Sequence, residues 1–340
     1  MSAAAEDAVT EAPAVEAVPK RAMTLGTGTS LVILAALLVT PIFVKNFVVF
    51  QMTMVMIYGI AVLALNILTG GSGQFSLGQS AFYALGAYTS AVLMEVANVN
   101  YALTLPIAGL VSFGAGYLFG KPALRLSGIY LALATFALAV AMPQLLKLHF
   151  LEAWTGGVQG LTVMKPDAPF GLPIGQDKWL YYFTLAISLA IYIGSINLLR
   201  SRSGRAFMSI RDNEIAASAM GVDVAQYKTL AFGVSAGITG IAGGLSAIVV
   251  AFVAPDSYTI NLAIALFLGM VVGGVGWLPG SFVGAAFIIF VPNIAESISK
   301  GLSGAVFGVL LFLVIFLVPH GARQVAMVAQ HLLGKLTKKN

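Results

Sequence analysis

Residues 229–253 read TLAFGVSAGITGIAGGLSAIVVAFV, twenty-five positions without one charged side chain and with five glycines. About 20 such residues, wound as a helix, cross the hydrocarbon core of a bilayer. Glycine at this density suits helices whose backbones pack closely within a membrane. The rest of the chain has the same character. Of 340 residues 59% are hydrophobic and 9% charged, with a mean hydropathy of +0.94. Soluble domains carry roughly 25% charged residues, so lipid rather than water must cover much of this surface. The chain has no cysteine, hence no disulfide framework, thiolate nucleophile or cysteine metal site. His149, His320 and His331 are too scattered to form a ligand cluster, so no metal and no cofactor is expected.

Working outward, apolar runs recur at about 29–49, 51–69, 79–97, 101–119, 127–146, 179–199, 229–253, 260–277, 281–296 and 304–319. The expected fold is therefore all-α, a polytopic membrane protein of about ten transmembrane helices, the last three short enough to be re-entrant or broken. Residues 1–28 are rich in Ala, Glu, Pro and Val, and are expected to be a disordered cytoplasmic tail. They do not read as a signal peptide, because acidic residues stand where a basic start is needed. Residues 29–320 form the transmembrane region and 321–340 a basic cytoplasmic tail. With both termini cytoplasmic, thirteen Lys and Arg fall inside and five (Lys45, Lys147, Lys165, Lys178, Lys300) outside, alternating loop by loop for ten spans. The net charge of +5 thus reflects membrane orientation, and no nucleic-acid partner is expected. The loop 147–178 is the longest outer one, with Trp154, Trp179, Tyr181 and Tyr182 expected to anchor its ends at the headgroups.

Two polar segments interrupt this pattern. Leu68 to Ala91 (LTGGSGQFSLGQSAFYALGAYTSA) carries glycines that loosen a helix and neutral polar groups beside apolar residues. Irregular backbone at membrane depth is tolerated only against protein or a water-filled cavity. Asn66, Gln74, Ser76 and Gln79 are therefore candidates for lining a translocation path, and close helix packing by small residues is the open alternative. Gly70-Gly71-Ser72-Gly73 finds a weak echo in Gly273-Gly274-Val275-Gly276, which leaves an internal repeat open. The second segment, Arg200 to Lys228, is the longest and most polar internal cytoplasmic loop. Asp212 or Asn213 can cap a helix of about two turns, Glu214 favours its first turn, and Gly221 suits the left-handed position that ends it. Ile215 and Met220 then need a partner to cover them, which favours a docking helix over a plain connector. Arg211, Asp212 and Glu214 suit the polar rim of such an interface.

No catalytic constellation stands out. A phosphate loop needs a glycine-rich turn ending in Lys-Ser/Thr, and the nearest match, GVGWLPGS from Gly274 to Ser281, has no lysine. No span carries a charge near its centre, which argues against proton coupling.

These two segments also carry a resemblance. The stretch from Ser76 (SLGQSAFYALGAYTSA) and that from Gly204 (GRAFMSIRDNEIAASAMGVDVAQYKTLAFGVSAGITGIAGGL) are similar to LivM-type permease subunits of branched-chain amino acid ABC importers, across about residues 50–320. The loop TGGVQGL, Thr155 to Leu161, resembles a feature of the same family. Glu214, Ala216, Ala217 and Gly221 are similar to the cytoplasmic Glu-Ala-Ala…Gly loop of ABC permeases, with one extra residue after the Glu. The resemblance implies a second permease subunit, two cytoplasmic ATPase subunits and a periplasmic solute-binding protein, in the bacterial inner membrane among its lipids. It says less of the solute, since similar proteins also move urea, short amides and small carboxylic acids.

The sequence thus reads as a non-enzymatic permease subunit whose ATP hydrolysis resides in partners. The alternative is a self-sufficient secondary carrier or channel, distinguished by whether transport needs those partners; a membrane enzyme would need a convergent acid, base or metal group. Without a phosphate-loop lysine, the purified chain is expected neither to bind nor to hydrolyse ATP. Nucleotide affinity measured by titration calorimetry on the isolated chain would contradict this reading.

Overall fold

Within lipid, every backbone N–H and C=O must find a partner inside the chain, so apolar runs fold as helices. A computed structural model describes residues 27–123, 126, 128–169 and 175–298, together with the single positions 308, 309, 312, 316 and 322. The longer helices are α1 (Thr27–Phe43), α2 (Asn46–Asn66), α3 (Gln79–Glu95), α4 (Tyr101–Ala123) and α5 (Ile129–Leu146). After a short α6 (Glu152–Thr155) come α7 (Gln176–Arg200), α8 (Arg202–Asp212), α9 (Glu214–Ala219), α10 (Val224–Val250), α11 (Ile260–Gly273) and α12 (Gly280–Ile298). Among the described residues six stretches are long and apolar enough to cross a membrane: Asn46–Gly71, Tyr101–Pro122, Ile129–Leu146, Gln176–Arg200, Val224–Val250 and Pro255–Gly273. The apolar parts Leu34–Phe43 and Gly280–Ile294 are shorter, and α3 has 17 residues. The run expected at 304–319 lies outside the described residues except for a few single positions, as do most of both expected tails.

The helix read first from the sequence stands at the centre. α10 packs on α4, α3 and α2, while α7 and α12 flank α2, and α11 pairs with α12. Ile57, Ile60 and Leu65 of α2 meet Tyr83 and Ala87 of α3 and Leu245 and Ile248 of α10 in one apolar core. The small residues of α10 set how close its neighbours come. A Cβ on Gly243 would collide with the Tyr83 carbonyl oxygen of α3, and one on Gly86 with the Gly240 carbonyl oxygen. Side chains larger than hydrogen would force these backbones apart, so the glycines are a packing requirement here.

Several boundaries differ from the sequence reading, among them those around the first break and at both ends of α10. The first break falls at Val44–Lys45 rather than near residue 50, because Lys45 takes an extended conformation ahead of α2. α10 starts at Val224, since the Asp223 carboxylate accepts from the Gln226 N–H and caps the helix more than a turn before the apolar run. It ends when Ala251 turns left-handed (φ 61°), and β2 (Phe252–Val253) then pairs antiparallel with β1 (Leu161–Thr162). The all-α expectation therefore holds for the bulk of the chain but not for this two-residue pair.

That pair holds down the loop after α5. Gly160 adopts positive φ (77°), and a Cβ there would strike the Val253 carbonyl oxygen, so TGGVQGL lies flat on β2. Thr155 Oγ1 donates to the Leu146 carbonyl at 2.9 Å, and Lys147 Nζ pairs with Asp256 Oδ1 at 2.5 Å. Trp154 is exposed, and the other three expected anchors also bond to neighbouring helices. Trp179 Nε1 donates to Tyr101 Oη at 3.2 Å, and Tyr181 and Tyr182 donate to the Leu37 and Leu38 carbonyls of α1 at 2.8 and 3.1 Å.

Gly243→Ala is therefore expected to lower the melting temperature of the purified chain in detergent, at an overpacking cost of about 1–3 kcal/mol. Gly194→Ala on α7, where a Cβ meets nothing within 4 Å, is expected to leave it unchanged or raised, since alanine favours helix. Equal melting temperatures for Gly243→Ala and the parent chain would show that α10 and α3 are not packed this closely.

Candidate functional site

The polar side chains that interrupt the apolar pattern gather at one end of the bundle, where α2 ends, α3 begins and α10 starts. Here α2 runs on into a π-helical turn, Ile67–Gly71, and the chain crosses to Gln79 without regular structure. π-turns within helices recur at functional sites because they release backbone groups from the regular ladder. Side chains add to the backbone bonds from the Ser72, Gly73 and Gln74 N–H groups that close this turn. Ser72 Oγ donates to the Leu68 carbonyl at 2.7 Å, and Thr69 Oγ1 to the Gln74 carbonyl at 3.1 Å.

All four candidate path residues are buried in this arrangement, and they fall into separate clusters. Asn66, at the end of α2, grips the turn between α11 and α12: its Oδ1 accepts from the Gly276 N–H at 2.7 Å and its Nδ2 donates to the Trp277 carbonyl at 3.1 Å and Ser281 Oγ at 3.3 Å. Gln74 Nε2 donates to Ser72 Oγ at 3.0 Å and to the Lys228 carbonyl of α10 at 3.1 Å. Ser76 Oγ accepts from the Gly78 N–H at 3.2 Å, helping to shape the entry to α3. Gln79 points into the bundle interior, donating to Ser235 Oγ at 2.9 Å and accepting from Thr239 Oγ1 at 2.7 Å, both on α10. Ser235 Oγ in turn donates to the Ala64 carbonyl of α2 at 2.7 Å. Three helices are thereby joined by neutral hydrogen bonds, and among the described residues no buried side chain carries a formal charge. A satisfied neutral network suits a low-dielectric interior, where an unpaired polar group would be costly.

The segment expected to dock a partner folds as two helices, not one. Ser201 Oγ accepts from the Gly204 N–H at 3.4 Å and starts α8, a helix the sequence reading did not separate from the loop. Of the two capping candidates, Asn213 performs the role: its Oδ1 accepts from the Ala216 N–H at 3.0 Å, and its extended backbone divides α8 from α9. Gly221 ends α9 with φ 82°, where the Gly221 and Val222 N–H groups bond back to the Ser218 and Ala217 carbonyls. Ala217 is buried against the chain, Ala216 is exposed, and Ile215 and Met220 are 82% and 85% exposed. Glu214 pairs with Lys228 at the start of α10.

Arg211, an exposed residue, also reaches back into the bundle. Its Nη1 donates to the Gly70 carbonyl of the π-turn at 2.8 Å, while Nε and Nη2 hold Asp212 Oδ1 at 2.9 and 2.8 Å. The two polar segments singled out from the sequence therefore touch, through Arg211–Gly70 and Gln74–Lys228. Ser235, Thr239 and Ser72 escaped the sequence reading. The hydroxyls at 235 and 239, four apart and so on one face of the helix, were the available signal. Among the described residues no group of three or more His, Cys, Asp or Glu could hold a metal.

Comparison with known proteins gives this arrangement a family. Residues 47–318 match the family described as "Branched-chain amino acid transport system / permease component". The chain is 36% identical over 247 residues to the high-affinity branched-chain amino acid transport system permease protein LivM of Salmonella typhimurium strain LT2, and 35% identical to that of Escherichia coli strain K12. Each of these matches covers 66% of this chain and 58% of the relative, so the chain spans little more than half the length of these relatives. It is also 29% identical over 209 residues to the autoinducer 2 import system permease protein LsrC of Enterobacter sp. strain 638, covering 56% of each. No solved structure matches it. A chain of membrane-spanning helices matched from residue 47 to residue 318 belongs to the permease-component family of branched-chain amino acid transport systems.

Proposed function

We propose that the chain is the multi-pass permease subunit of an ATP-driven importer of branched-chain amino acids or related small solutes in a bacterial inner membrane. The observation that carries the reading is α9. A six-residue helix, capped at Asn213 and ended by Gly221, presents Ile215 and Met220 to solvent at the same end of the bundle as the π-turn. Apolar side chains held out in this way call for a protein groove. The relatives, named as permease proteins of a branched-chain amino acid transport system and of an autoinducer 2 import system, support an importer as the setting.

In this reading ten spans within 29–320 place both termini, residues 1–28 and 321–340, in the cytoplasm with α8 and α9. The partners are a second permease subunit, two cytoplasmic ATPase subunits and a periplasmic solute-binding protein. The ATPases carry the hydrolysis, and this chain needs no cofactor. The binding protein delivers solute on the far side, where TGGVQGL is fastened to β2. Glu214, Ile215, Ala216 and Met220 form the docking surface, with Ala217 and Gly221 shaping the helix behind it and Asp212 closing its edge. Exposed Leu110, Leu118 and Leu133 on α4 and α5 are suited to lipid or the second permease.

Burying each docking side chain contributes roughly 1.5–3 kcal/mol, so the Ile215→Asp, Met220→Asp double variant is expected to lose most ATPase attachment. The assay is co-purification of the ATPases with the tagged chain, with membrane insertion as control. Attachment at the parent level would reduce the 200–228 segment to a connector.

For the path, the expectation concerns state dependence. Asn66, Gln74, Ser76 and Gln79 are buried here, so single cysteines at these positions are expected to resist small polar thiol reagents at rest. During ATP-driven turnover the residues that border the path become reactive. Equal protection at all four positions in every nucleotide state would assign them to packing alone.

A further inference from the structure

The Gly-Gly-x-Gly pair noted in the sequence turns out to be a contact. Gly70 lies in the π-turn that ends α2, and Gly276 in the turn between α11 and α12. A Cβ added to Gly70 would lie 2.5 Å from the Gly276 nitrogen and 2.8 Å from its Cα, so no larger residue fits between the two turns. Asn66 fastens them from one side through the Gly276 N–H and the Trp277 carbonyl. Arg211 fastens the same π-turn from the other side, at the Gly70 carbonyl. Its main chain and Cβ also lie within 3.3–3.5 Å of where a Cβ on Gly73 would stand. One knot thus joins the end of α8, the end of α2 and the α11–α12 turn.

We infer that this knot is a rigid strut, with Arg211 as the positioning residue that makes displacement of α9 move α2 and the α11–α12 pair together. The inference rests on the ATP-driven reading above, and deepens it by naming the route from the docking helix into the bundle. Three features suit a strut rather than a hinge. The guanidinium holds Asp212 with one edge while its remaining nitrogen reaches Gly70, so the fork has a fixed orientation. The π-turn offers a carbonyl that the helix ladder does not monopolise. Glycine at position 70 lets the two turns meet backbone to backbone, and a backbone contact has no rotamer through which to give way.

The test uses the full chain, assembled with its second permease subunit and ATPases in vesicles. Radiolabelled leucine is presented with the solute-binding protein, and the readout is leucine imported per ATP hydrolysed. Failure of the parent chain to assemble with ATPases would count against the permease reading; the strut is judged only on assembled complexes. Arg211→Gln, too short to reach Gly70, is expected to lower the leucine-to-ATP ratio on the order of tenfold, the scale set by a hydrogen bond to a charged group. A Gly73→Cys, Arg211→Cys pair supplies the rescue. A Cβ on residue 73 would stand 3.5 Å from the Arg211 Cβ, at the short edge of the disulfide range of about 3.5–4.5 Å, and Gly73→Cys alone is the control for the strain of a side chain at φ 73°. Reduced, the pair is expected to be as uncoupled as Arg211→Gln; oxidised, with the cross-link verified by mass spectrometry, it is expected to regain coupling. A parental ratio in Arg211→Gln, or a cross-linked pair that stays uncoupled, would each overturn the strut.

Discussion

The close approach of α10 to α3 and α4 is the contact on which the remaining architecture depends. In lipid there is little hydrophobic gain in bringing two apolar helices together, so association rests on dispersion contacts and hydrogen bonds, both of which fall away steeply with distance. Gly86 and Gly243 allow carbonyl oxygens, and Gly240 the Ser112 side chain of α4, to sit where a Cβ would otherwise stand. Only with the axes this near can the Gln79 side chain reach both Ser235 and Thr239, and Ser235 reach the Ala64 carbonyl. Small residues thus bring about the polar network indirectly, by setting the distance at which short side chains can bond across helices.

The bundle's end near α8 obeys the same constraint in another form. Where α2 leaves its regular ladder, its backbone groups must be met by something other than water. Ser72, Thr69 and Arg211 meet them on one side, and Asn66 does the same for the turn after α11. The residues that satisfy these groups also link segments remote in the chain. Irregular backbone in an apolar setting therefore brings together elements that can move as a unit, and the family's transport role gives such a unit something to do.

Beyond that knot the polar surface is organised by short helices rather than by charge density. Ser201, Asn213 and Asp223 each start a helix by accepting from an N–H three residues ahead. They divide residues 201–228 into three helical starts at fixed angles. α9 is too short to be stable alone; its seat is provided by buried Ala217 and by the Glu214–Lys228 pair. Exposed Ile215 and Met220 are consequently held in place rather than left on a loose loop.

Much of this was legible in the residues. Uncharged apolar runs longer than a bilayer core announced helices, because backbone groups in lipid have no alternative partner. Polar and glycine-rich interruptions at 68–91 and 200–228 marked where that rule would be relaxed, and Gly221 announced its left-handed turn. Helix limits were less legible, since Asp223 extends α10 beyond its apolar run and Ala251 stops it short. What only the tertiary structure decided is which interruptions meet. Arg211 reaches Gly70 across 141 residues, and Asn66 reaches Gly276 across 210. Periodicity and capping record the conformation of neighbours along the chain, whereas these contacts depend on how far glycine lets separate helices approach. The bond from Arg211 to the Gly70 carbonyl is therefore a property of the packed bundle and not of the segment that contains the arginine.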